Sequence, residues 1–272
     1  MRVCFVGYGN MGSTLLKGLL ERGALTESDI IVTNRTLEKL DGLRKIHPGV
    51  KIVNRCAEMS QADIIFICVR TGEVKGTLEE MQPCLNSSTH IVTINGGLQI
   101  KNLERVFQGK ITKAIPSMTM GSGHGVTLIC HNDKVDAISA NVIENMFAQV
   151  GLVHLVREDQ FEVAADLTSC APAFFADIAQ KFAEAGIRHS DLDEKIAKRM
   201  VVETLLGTAL TLSKGEISFD ELKSKVATKG GISEQGLAVL DREMPGMFDR
   251  VLEATVSKHE TVKDSISSQF DK

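Results

Sequence analysis

A glycine-rich turn lies near the start of the chain, where Gly7, Gly9 and Gly12 follow an apolar run in the spacing Gly-x-Gly-x-x-Gly. The first glycine permits a tight turn, the second lets the backbone approach a pyrophosphate, and the third lets a helix pack on a strand. The amides that open the following helix, including those of Asn10 and Met11, favour an anion. With an apolar strand before it and an amphipathic helix after it, the spacing predicts a dinucleotide site rather than an ordinary glycine turn.

A second apolar run, residues 29–34, ends in Asn34-Arg35-Thr36 and indicates which dinucleotide binds. An NAD site usually places Asp or Glu about 20 residues beyond the glycines to hold the ribose 2′-hydroxyl, whereas an NADP site adds an arginine for the 2′-phosphate. Here no acid stands at that position, Arg35 can pair with the phosphate, and Thr36 can both cap the next helix and donate to the phosphate. A surface arginine beside a capping threonine is the alternative interpretation. We expect NADP, with NAD possible.

The rest of the N-terminal half alternates strand and helix signals, which indicates a doubly wound parallel sheet. The further strand candidates are residues 63–70, 90–94, 110–115, 125–130 and 153–156, with a helix at 135–149. In such sheets ligands bind beyond the carboxyl ends of the strands. We therefore expect Val69, Arg70, Asn95, Ser117 and Met118 to border the nicotinamide, although Arg70 could equally be a solvated charge at a strand end.

From Glu158 onwards the strand signals disappear, and apolar residues recur at helical spacings of three and four. The predicted helices are residues 161–167, 173–185, 192–212 and 247–262. The predicted fold class is therefore α/β, with a Rossmann-type doubly wound sheet in an NADP-binding domain at 1–157 and an all-α dimerisation and substrate domain at 158–272. Surplus apolar residues at 201–212 suggest a dimer interface, with a buried central helix as the alternative. The last ten or so residues look frayed.

Composition limits the classes of partner. With 43% hydrophobic and 24% charged residues, the chain has the composition of an ordinary globular protein. A net charge of -4 without a basic block argues against nucleic acid or a membrane surface as the partner. No apolar run reaches the roughly 18 residues of a membrane span, and no secretory signal is present, so we expect a cytoplasmic protein. Six cysteines without a C-x-x-C pair favour reduced thiols, and no metal site is expected.

Four sequence blocks follow one another in a distinctive order. They are Gly7-Tyr-Gly-Asn-Met-Gly12, then Ala114-Ile-Pro-Ser-Met-Thr119 with Gly123-His-Gly-Val-Thr127, then Ser169-Cys-Ala-Pro-Ala-Phe174, and finally Val226-Ala-Thr-Lys-Gly-Gly-Ile-Ser233. Over essentially the whole chain this order resembles the pyrroline-5-carboxylate reductases, which catalyse the last step of proline synthesis. The resemblance implies a Rossmann domain followed by a helical domain that intertwines with a second subunit. It also implies an active site completed by the partner chain, in a homodimer or a higher assembly of dimers.

Three of these blocks depart from the pattern of the family. The family usually has Pro-Asn-Thr-Pro at 116–119, Gly-Ser-Gly-Pro-Ala-Tyr at 169–174 and Ser-Pro-Gly-Gly-x-Thr at 228–233. All three border the substrate in the family, whereas the cofactor loop is intact. The altered set is similar to the ComER-type branch, paralogues named from a late-competence operon in Gram-positive bacteria.

The resemblance also implies roles for individual residues in the reduction of a cyclic imino acid by hydride transfer from nicotinamide C4. Ser233 lies nearest the ring nitrogen as a weak proton donor or relay, and Glu216 belongs to the same pocket. The substrate carboxylate lies on the amides of Gly230 and Gly231. The implied set is Ser233, Thr228 and Glu216 for catalysis, and Lys229, Gly230, Gly231, Ser117 and Met118 for substrate binding.

Two classes of function therefore remain open from the sequence. One is an NADPH-dependent reductase of L-pyrroline-5-carboxylate or a close cyclic imino acid. The other is a nucleotide-binding regulatory or assembly protein with weak or absent turnover. A β-hydroxyacid dehydrogenase, which shares the domain order, would need a catalytic lysine on the interdomain helix, and residues 161–179 contain none.

Overall fold

The computed structural model describes residues 1–54 and 58–271, and its dominant element is an eight-stranded sheet of order β3-β2-β1-β4-β5-β6-β7-β8. The strands are β1 Val3–Val6, β2 Ile30–Thr33, β3 Lys51–Ile52, β4 Ile64–Ile67, β5 His90–Thr93, β6 Lys110–Pro116, β7 Gly125–His131 and β8 Gly151–Leu155. Every residue of β1 is buried, as expected for a parallel strand that is covered on both faces. The predicted α/β fold with a Rossmann-type sheet is confirmed.

The last two strands of the sheet, β7 and β8, run against the direction that the sequence pattern predicted. β7 pairs with β6 in antiparallel register, so that Ala114 lies opposite Ile129, whereas the other strand pairs are parallel. A parallel return needs a crossover connection of about a dozen residues or more. Residues 117–124 are too few for such a crossover and contain only a 3₁₀ turn, Met118–Ser122. The chain therefore reverses as a hairpin at this point.

Helices cover both faces of the sheet, and an apolar core lies on each side. The helices of this part are α1 Asn10–Glu21, α2 Asp41–Ile46, α3 Val74–Met81, α4 Ile100–Glu104 and α5 Ala137–Ala148. On the face covered by α1, the rings of Phe5 and Phe66 stack 4.8 Å apart, and Phe147 contacts Phe66 edge-on. Burying a ring of this size contributes roughly 1.5–3 kcal/mol, so these contacts fix the centre of the sheet beneath the glycine turn.

The C-terminal part is helical, as predicted, but the bounds of its helices differ from those that the sequence pattern indicated. They are α6 Phe161–Ala165, a π-helical turn Asp166–Cys170, α7 Ala171–Arg188, α8 Glu194–Ser213, α9 Phe219–Val226 and α10 Ile232–Phe270. The sequence predicted a helix at 247–262, whereas α10 continues through Pro245 and reaches the end of the chain. The expectation of a frayed C-terminus is wrong, because Ile266 and Phe270 are buried in the core beside α3 and α4.

The chain divides into two compact units. The sheet unit contains residues 1–170 together with the stretch from Thr255 onwards, and the helical unit contains residues 171–254. Within the sheet unit, the end of α10 packs closely on the loop after β5, since a Cβ atom on Gly97 would lie 2.5 Å from Cγ1 of Val262. The predicted functional division after residue 157 stays a prediction.

Two expectations from composition concern the described residues. None of the described helices is long and apolar enough to cross a membrane. The cysteines Cys4, Cys68, Cys130 and Cys170 are free thiols, whereas Cys84 is disulfide-bonded, so the expectation of reduced thiols throughout is wrong at this position. Cys56 lies outside the described residues.

Candidate functional site

The glycine loop has the shape of a cradle for a phosphate group. Gly7 has a φ of 100°, and a Cβ atom there would lie 2.9 Å from the carbonyl carbon and oxygen of Cys68. A Cβ on Gly12 would lie 2.6 Å from the carbonyl oxygen of Gly7. By contrast, a Cβ on Gly9 would meet no atom within 4 Å. Gly7 and Gly12 therefore build the turn, and Gly9 leaves an open space against the backbone.

Helix α1 begins directly at this open space. Gly9 is its N-cap, and the first intrahelical bond runs from the amide of Ser13 to the carbonyl of Gly9. The first amides of a helix, here those of Asn10, Met11 and Gly12, have no acceptor within the helix. No acidic residue stands in the first turn of α1. The combination of orphan amides and an open approach fits the pyrophosphate of a dinucleotide.

Asn34, at the end of β2, ties the glycine loop in place. The amide N–H of Tyr8 donates to Oδ1 of Asn34 over 3.0 Å, and Nδ2 of Asn34 donates to the carbonyl of Thr36 over 2.7 Å. Both polar atoms of the Asn34 side chain therefore bind backbone groups, one in the glycine loop and one in the segment after β2. Thr36 is the N-cap of a 3₁₀ turn but makes no side-chain capping bond, so the predicted capping role of its hydroxyl is wrong.

A cleft of about 730 Å³ extends from the glycine loop over the end of β2 and towards α3. The predicted cofactor residues that line it are Gly7, Gly9, Asn34, Arg35, Thr36, Val69 and Arg70. Lys39 and Glu73 also line this cleft, and sequence reasoning missed both. Lys39 lies in the 3₁₀ turn Leu37–Leu40 that follows Arg35, and it adds a second cation to the cleft. Glu73 comes from the turn after β4 and pairs with Arg35 at 3.1 Å.

Asn95 and Ser117, predicted to border the nicotinamide, use their side chains to hold the ends of strands. Nδ2 of Asn95 donates to the carbonyl of Val69 over 2.9 Å, and Oδ1 of Asn95 accepts from the hydroxyl of Thr93 over 3.0 Å. Ser117 is almost fully buried, with its Oγ 2.9 Å from the hydroxyl of Thr119. Met118, in contrast, is exposed. Nicotinamide and substrate contacts by these residues stay predictions.

In the helical unit, residues 228–231 of the predicted substrate loop fold as a tight turn, and residues 232–233 begin α10. The amide of Gly231 donates to the carbonyl of Thr228 over 2.8 Å, and Gly230 has a φ of 73°. A bond from the fourth residue to the first, with positive φ at the third, is the pattern of a type II turn. Lys229 stands at the second position of this turn, where proline is favoured.

The two glycine amides predicted to bind a carboxylate already have acceptors within the loop. The amide of Gly230 donates to Oε2 of Glu234 over 2.7 Å, and that of Gly231 donates to Thr228. A substrate carboxylate would have to replace the carboxylate of Glu234 at Gly230. Lys229 and Ser233 are exposed in the same loop, and Glu216 is exposed in the turn between α8 and α9. The roles of these residues stay predictions.

A buried polar cluster near the π-helical turn was missed by sequence reasoning. The fully buried carboxylate of Asp166 accepts from the hydroxyl of Thr255 over 2.7 Å and lies 3.0 Å from Nε2 of His259. Burial, followed by its hydrogen bond to Asp166, raises the pKa of the Cys170 thiol. In the described part of the chain, the buried Oγ of Ser169 has no hydrogen-bond partner. Because Glu162 lies in the same stretch, an acid at position 166 did not by itself indicate this cluster.

The helical unit exposes many large apolar side chains. On α8 they are Ile196, Met200, Val202, Leu205, Leu206 and Leu210. A run of this kind on one helix exceeds what a monomeric surface usually carries. In the residues described, 1–54 and 58–271, no group of three or more metal-ligating side chains could hold an ion.

Comparisons with known proteins cover both halves of the chain. Residues 158–262 match the family model described as pyrroline-5-carboxylate reductase dimerisation, and residues 2–96 match the model described as NADP oxidoreductase coenzyme F420-dependent. Pyrroline-5-carboxylate reductase 3 of Bacillus subtilis is 30% identical over 98% of this chain and 99% of its own length. ComE operon protein 4 of the same organism is 27% identical over 99% of each chain.

The solved structures that resemble this chain have the same fold along its length. A pyrroline-5-carboxylate reductase from Coxiella burnetii superimposes with a TM-score of 0.89 at 28% identity, covering 96% of this chain and 98% of that one. Its agreement extends over both the sheet and the helices of the C-terminal half.

Proposed function

The chain belongs to the pyrroline-5-carboxylate reductase family, and from that membership we propose that it reduces L-pyrroline-5-carboxylate, or a close cyclic imino acid, to L-proline or the matching cyclic amino acid with NADPH. The observation that carries the proposal is the open cradle at Gly9, in one cleft with the cations Arg35 and Lys39. That combination provides for the pyrophosphate and for the 2′-phosphate of NADPH.

The residues of the sheet unit would bind the cofactor. The first amides of α1 hold the pyrophosphate, and Arg35 and Lys39 pair with the 2′-phosphate. Bound NADPH supplies the hydride that reduces the imine carbon. Because Asn34 and Asn95 hydrogen-bond the backbone around the cleft, they position these loops and keep them pre-organised.

The residues of the helical unit would bind the substrate. The substrate carboxylate would replace the carboxylate of Glu234 on the amide of Gly230, at the start of a helix where an anion is favoured over a neutral group, and Gly231 would hold the turn in shape. Thr228 and Lys229 add a hydroxyl and a mobile cation to the same loop. When hydride reaches the imine carbon, the ring nitrogen must also take a proton to become an amine, and the hydroxyl of Ser233 relays it, with Glu216 in the same pocket.

The proposed assembly is a homodimer or a larger assembly built from dimers. The match of residues 158–262 to the dimerisation model supports this assignment, as do the exposed apolar side chains of α8. A second subunit would cover a surface that a single chain leaves in water.

A second candidate function is that of a ComER-like nucleotide-binding paralogue with weak or absent turnover. The similarity to ComE operon protein 4 along the whole chain favours this alternative, together with the altered blocks at 116–119, 169–174 and 228–233. Such a protein would keep the cofactor cleft, which is intact here. Its substrate loop would have lost the residues that bind the imino acid in the reductases.

One assay separates the two candidates. Purified protein is given NADPH and L-pyrroline-5-carboxylate, and both NADPH oxidation and proline are measured. The proposed reductase oxidises one NADPH for each proline that it forms. Ser233→Ala lowers this rate and leaves the affinity for NADPH unchanged. NADPH binding without imine-dependent oxidation would favour the paralogue. Failure to bind either nicotinamide nucleotide would refute both.

A further inference from the structure

An acidic side chain enters the cofactor cleft from the turn that follows β4. The sequence has no acid at the end of β2, where NAD-binding proteins usually carry one. In the fold, however, Oε1 of Glu73 lies 3.1 Å from Nη1 of Arg35, and both side chains line the cleft. Glu73 follows β4, which is separated from β2 only by β1 in the sheet. The fold thus places the carboxylate of Glu73 near the end of β2, where the sequence itself has no acid.

The pair lies among other charges at the mouth of the cleft. The side chain of Arg35 is 83% exposed and that of Glu73 is 39% exposed. The other charged residues that line the cleft are Lys39, Arg70 and Glu80. Because an exposed ion pair contributes little net stability, Arg35 can exchange the carboxylate for a phosphate at low cost. The carboxylate nevertheless stays beside any anion that Arg35 binds.

We propose that Glu73 sets the preference of this cleft between NADPH and NADH. The inference rests on the proposed function, because it takes a nicotinamide dinucleotide as the ligand. With NADPH, the negative charge of Glu73 competes for Arg35 and repels the 2′-phosphate. With NADH, the same carboxylate accepts a hydrogen bond from a ribose hydroxyl, the task that an acid at the end of β2 performs in other proteins. Arg35 and Lys39 favour the binding of NADPH over that of NADH, and Glu73 therefore reduces the ratio of these two affinities.

The size of the effect follows from the exposure of the pair. In nearly aqueous surroundings, the repulsion between the Glu73 carboxylate and a phosphate a few ångströms away changes the binding constant several-fold. Salt screens the repulsion and reduces this change. We therefore expect a shift of roughly three- to tenfold in the ratio of the two affinities at low salt, with a smaller shift at high salt.

The test compares Glu73→Gln with a matched control on α3, the helix that follows Glu73. Glu79→Gln removes the same charge six residues further on, at an exposed position that pairs with Lys75 and does not line the cleft. NADPH and NADH are titrated against each full-length protein by nucleotide fluorescence, at low and at high salt. Thermal melting checks that both variants fold like the parent. Binding, rather than turnover, is the readout.

The expected result is specific in direction. Glu73→Gln binds NADPH more tightly and NADH more weakly than the parent, whereas Glu79→Gln changes the ratio less than twofold. An unchanged ratio in Glu73→Gln, or an equal change in both affinities, overturns the assignment of Glu73 while leaving the cofactor site in place. If the parent protein binds neither nucleotide, the proposed function itself fails. A folded Glu73→Gln protein with weaker NADPH binding would show that the carboxylate serves Arg35 as a support instead.

Discussion

The backbone amide of Tyr8 donates a 3.0 Å hydrogen bond to the side-chain oxygen of Asn34, which joins the glycine loop to the end of β2. Replacing Asn34 by Ala removes this bond and the 2.7 Å bond to the carbonyl of Thr36. Since each such bond contributes about 1 kcal/mol, we expect roughly tenfold weaker binding of both NADPH and NADH. Fluorescence titration measures both affinities. A loss confined to NADPH would show that Asn34 acts on the 2′-phosphate and not on the loop.

Arg35 should affect only one of the two nucleotides. Replacing it by Ala removes a charged partner of the 2′-phosphate, and we expect NADPH binding to weaken by about 1.5–3 kcal/mol. NADH binding should change little, because the ribose hydroxyl carries no charge. The parent protein should also bind NADPH more tightly than NADH in the same titrations. Equal affinities of the parent for both nucleotides would contradict the cofactor assignment.

Lys229→Pro tests whether the substrate loop is a modified form of the family loop. Lys229 stands at the second position of a turn closed by the 2.8 Å bond from Gly231 to Thr228, where a proline fits without strain. Proline there should raise the free energy of unfolding by about 0.4–1 kcal/mol, because it restricts the unfolded chain. If the protein is a reductase, turnover of L-pyrroline-5-carboxylate should rise as well.

Gly231→Val is the opposite test of the same turn. A Cβ atom at Gly231 would lie 2.8 Å from both the carbonyl and the hydroxyl oxygen of Thr228, so the turn must open. Imine turnover should be lost while NADPH affinity stays at the parent value. A Gly231→Val protein that reduces the imine at the parent rate would move the substrate site elsewhere.

The exposed face of α8 should be covered in solution by a second subunit. Leu206 is 52% exposed in the single chain, and an Asp at this position would place a charge in an apolar interface. Light scattering should give about twice the chain mass, or a multiple of it, for the parent and a monomer for Leu206→Asp. The control is Ile138→Asp on α5, which changes an exposed apolar residue of the sheet unit and should leave the mass unchanged.

Stability should fall in mild acid because of a buried histidine pair. The hydroxyl of Thr112 lies 2.7 Å from Nε2 of His90 and 2.7 Å from Nδ1 of His131. Burial lowers the pKa of His90 from 6.5 to about 4, and burial also lowers the pKa of His131. Between about pH 6.5 and pH 4 the unfolded chain therefore binds more protons than the folded chain. The free energy of unfolding decreases as the pH falls through this range.

Urea unfolding between pH 4.5 and 7.5 measures this loss, which for His90 is on the order of 3 kcal/mol over the full range. Substituting Gln for His90 should flatten the pH dependence, whereas the same change at the exposed His154 should not. A parent protein equally stable across that range would show that neither buried ring is kept neutral.

The sequence predicted the parts of the fold that depend on local pattern. Apolar runs located the long strands, and the glycine spacing located the cradle that Gly9 leaves open. The hairpin of β6 and β7 was not predicted, because apolar runs carry no information about strand direction. The continuity of α10 through Pro245 was also missed, because a proline inside a helical pattern usually ends or kinks the helix.

The missed site residues share one property, which is that their partners are distant in sequence. Glu73 meets Arg35 across 38 residues, and His259 meets Asp166 across 93. A single sequence offers no signal for such pairs, because neither member alone differs from a solvated surface charge. Lys39 is the exception, since it lies only four residues from Arg35 in the sequence.

The C-terminal end of α10 also bears on how the newly made chain folds. The buried carboxylate of Asp166 obtains its hydrogen bonds from Thr255 and His259, and Val262 packs on Gly97, all within the sheet unit. Translation delivers the eight strands before these partners. The sheet unit therefore makes these contacts only after the intervening helical unit has been synthesised and this part of α10 has left the ribosome.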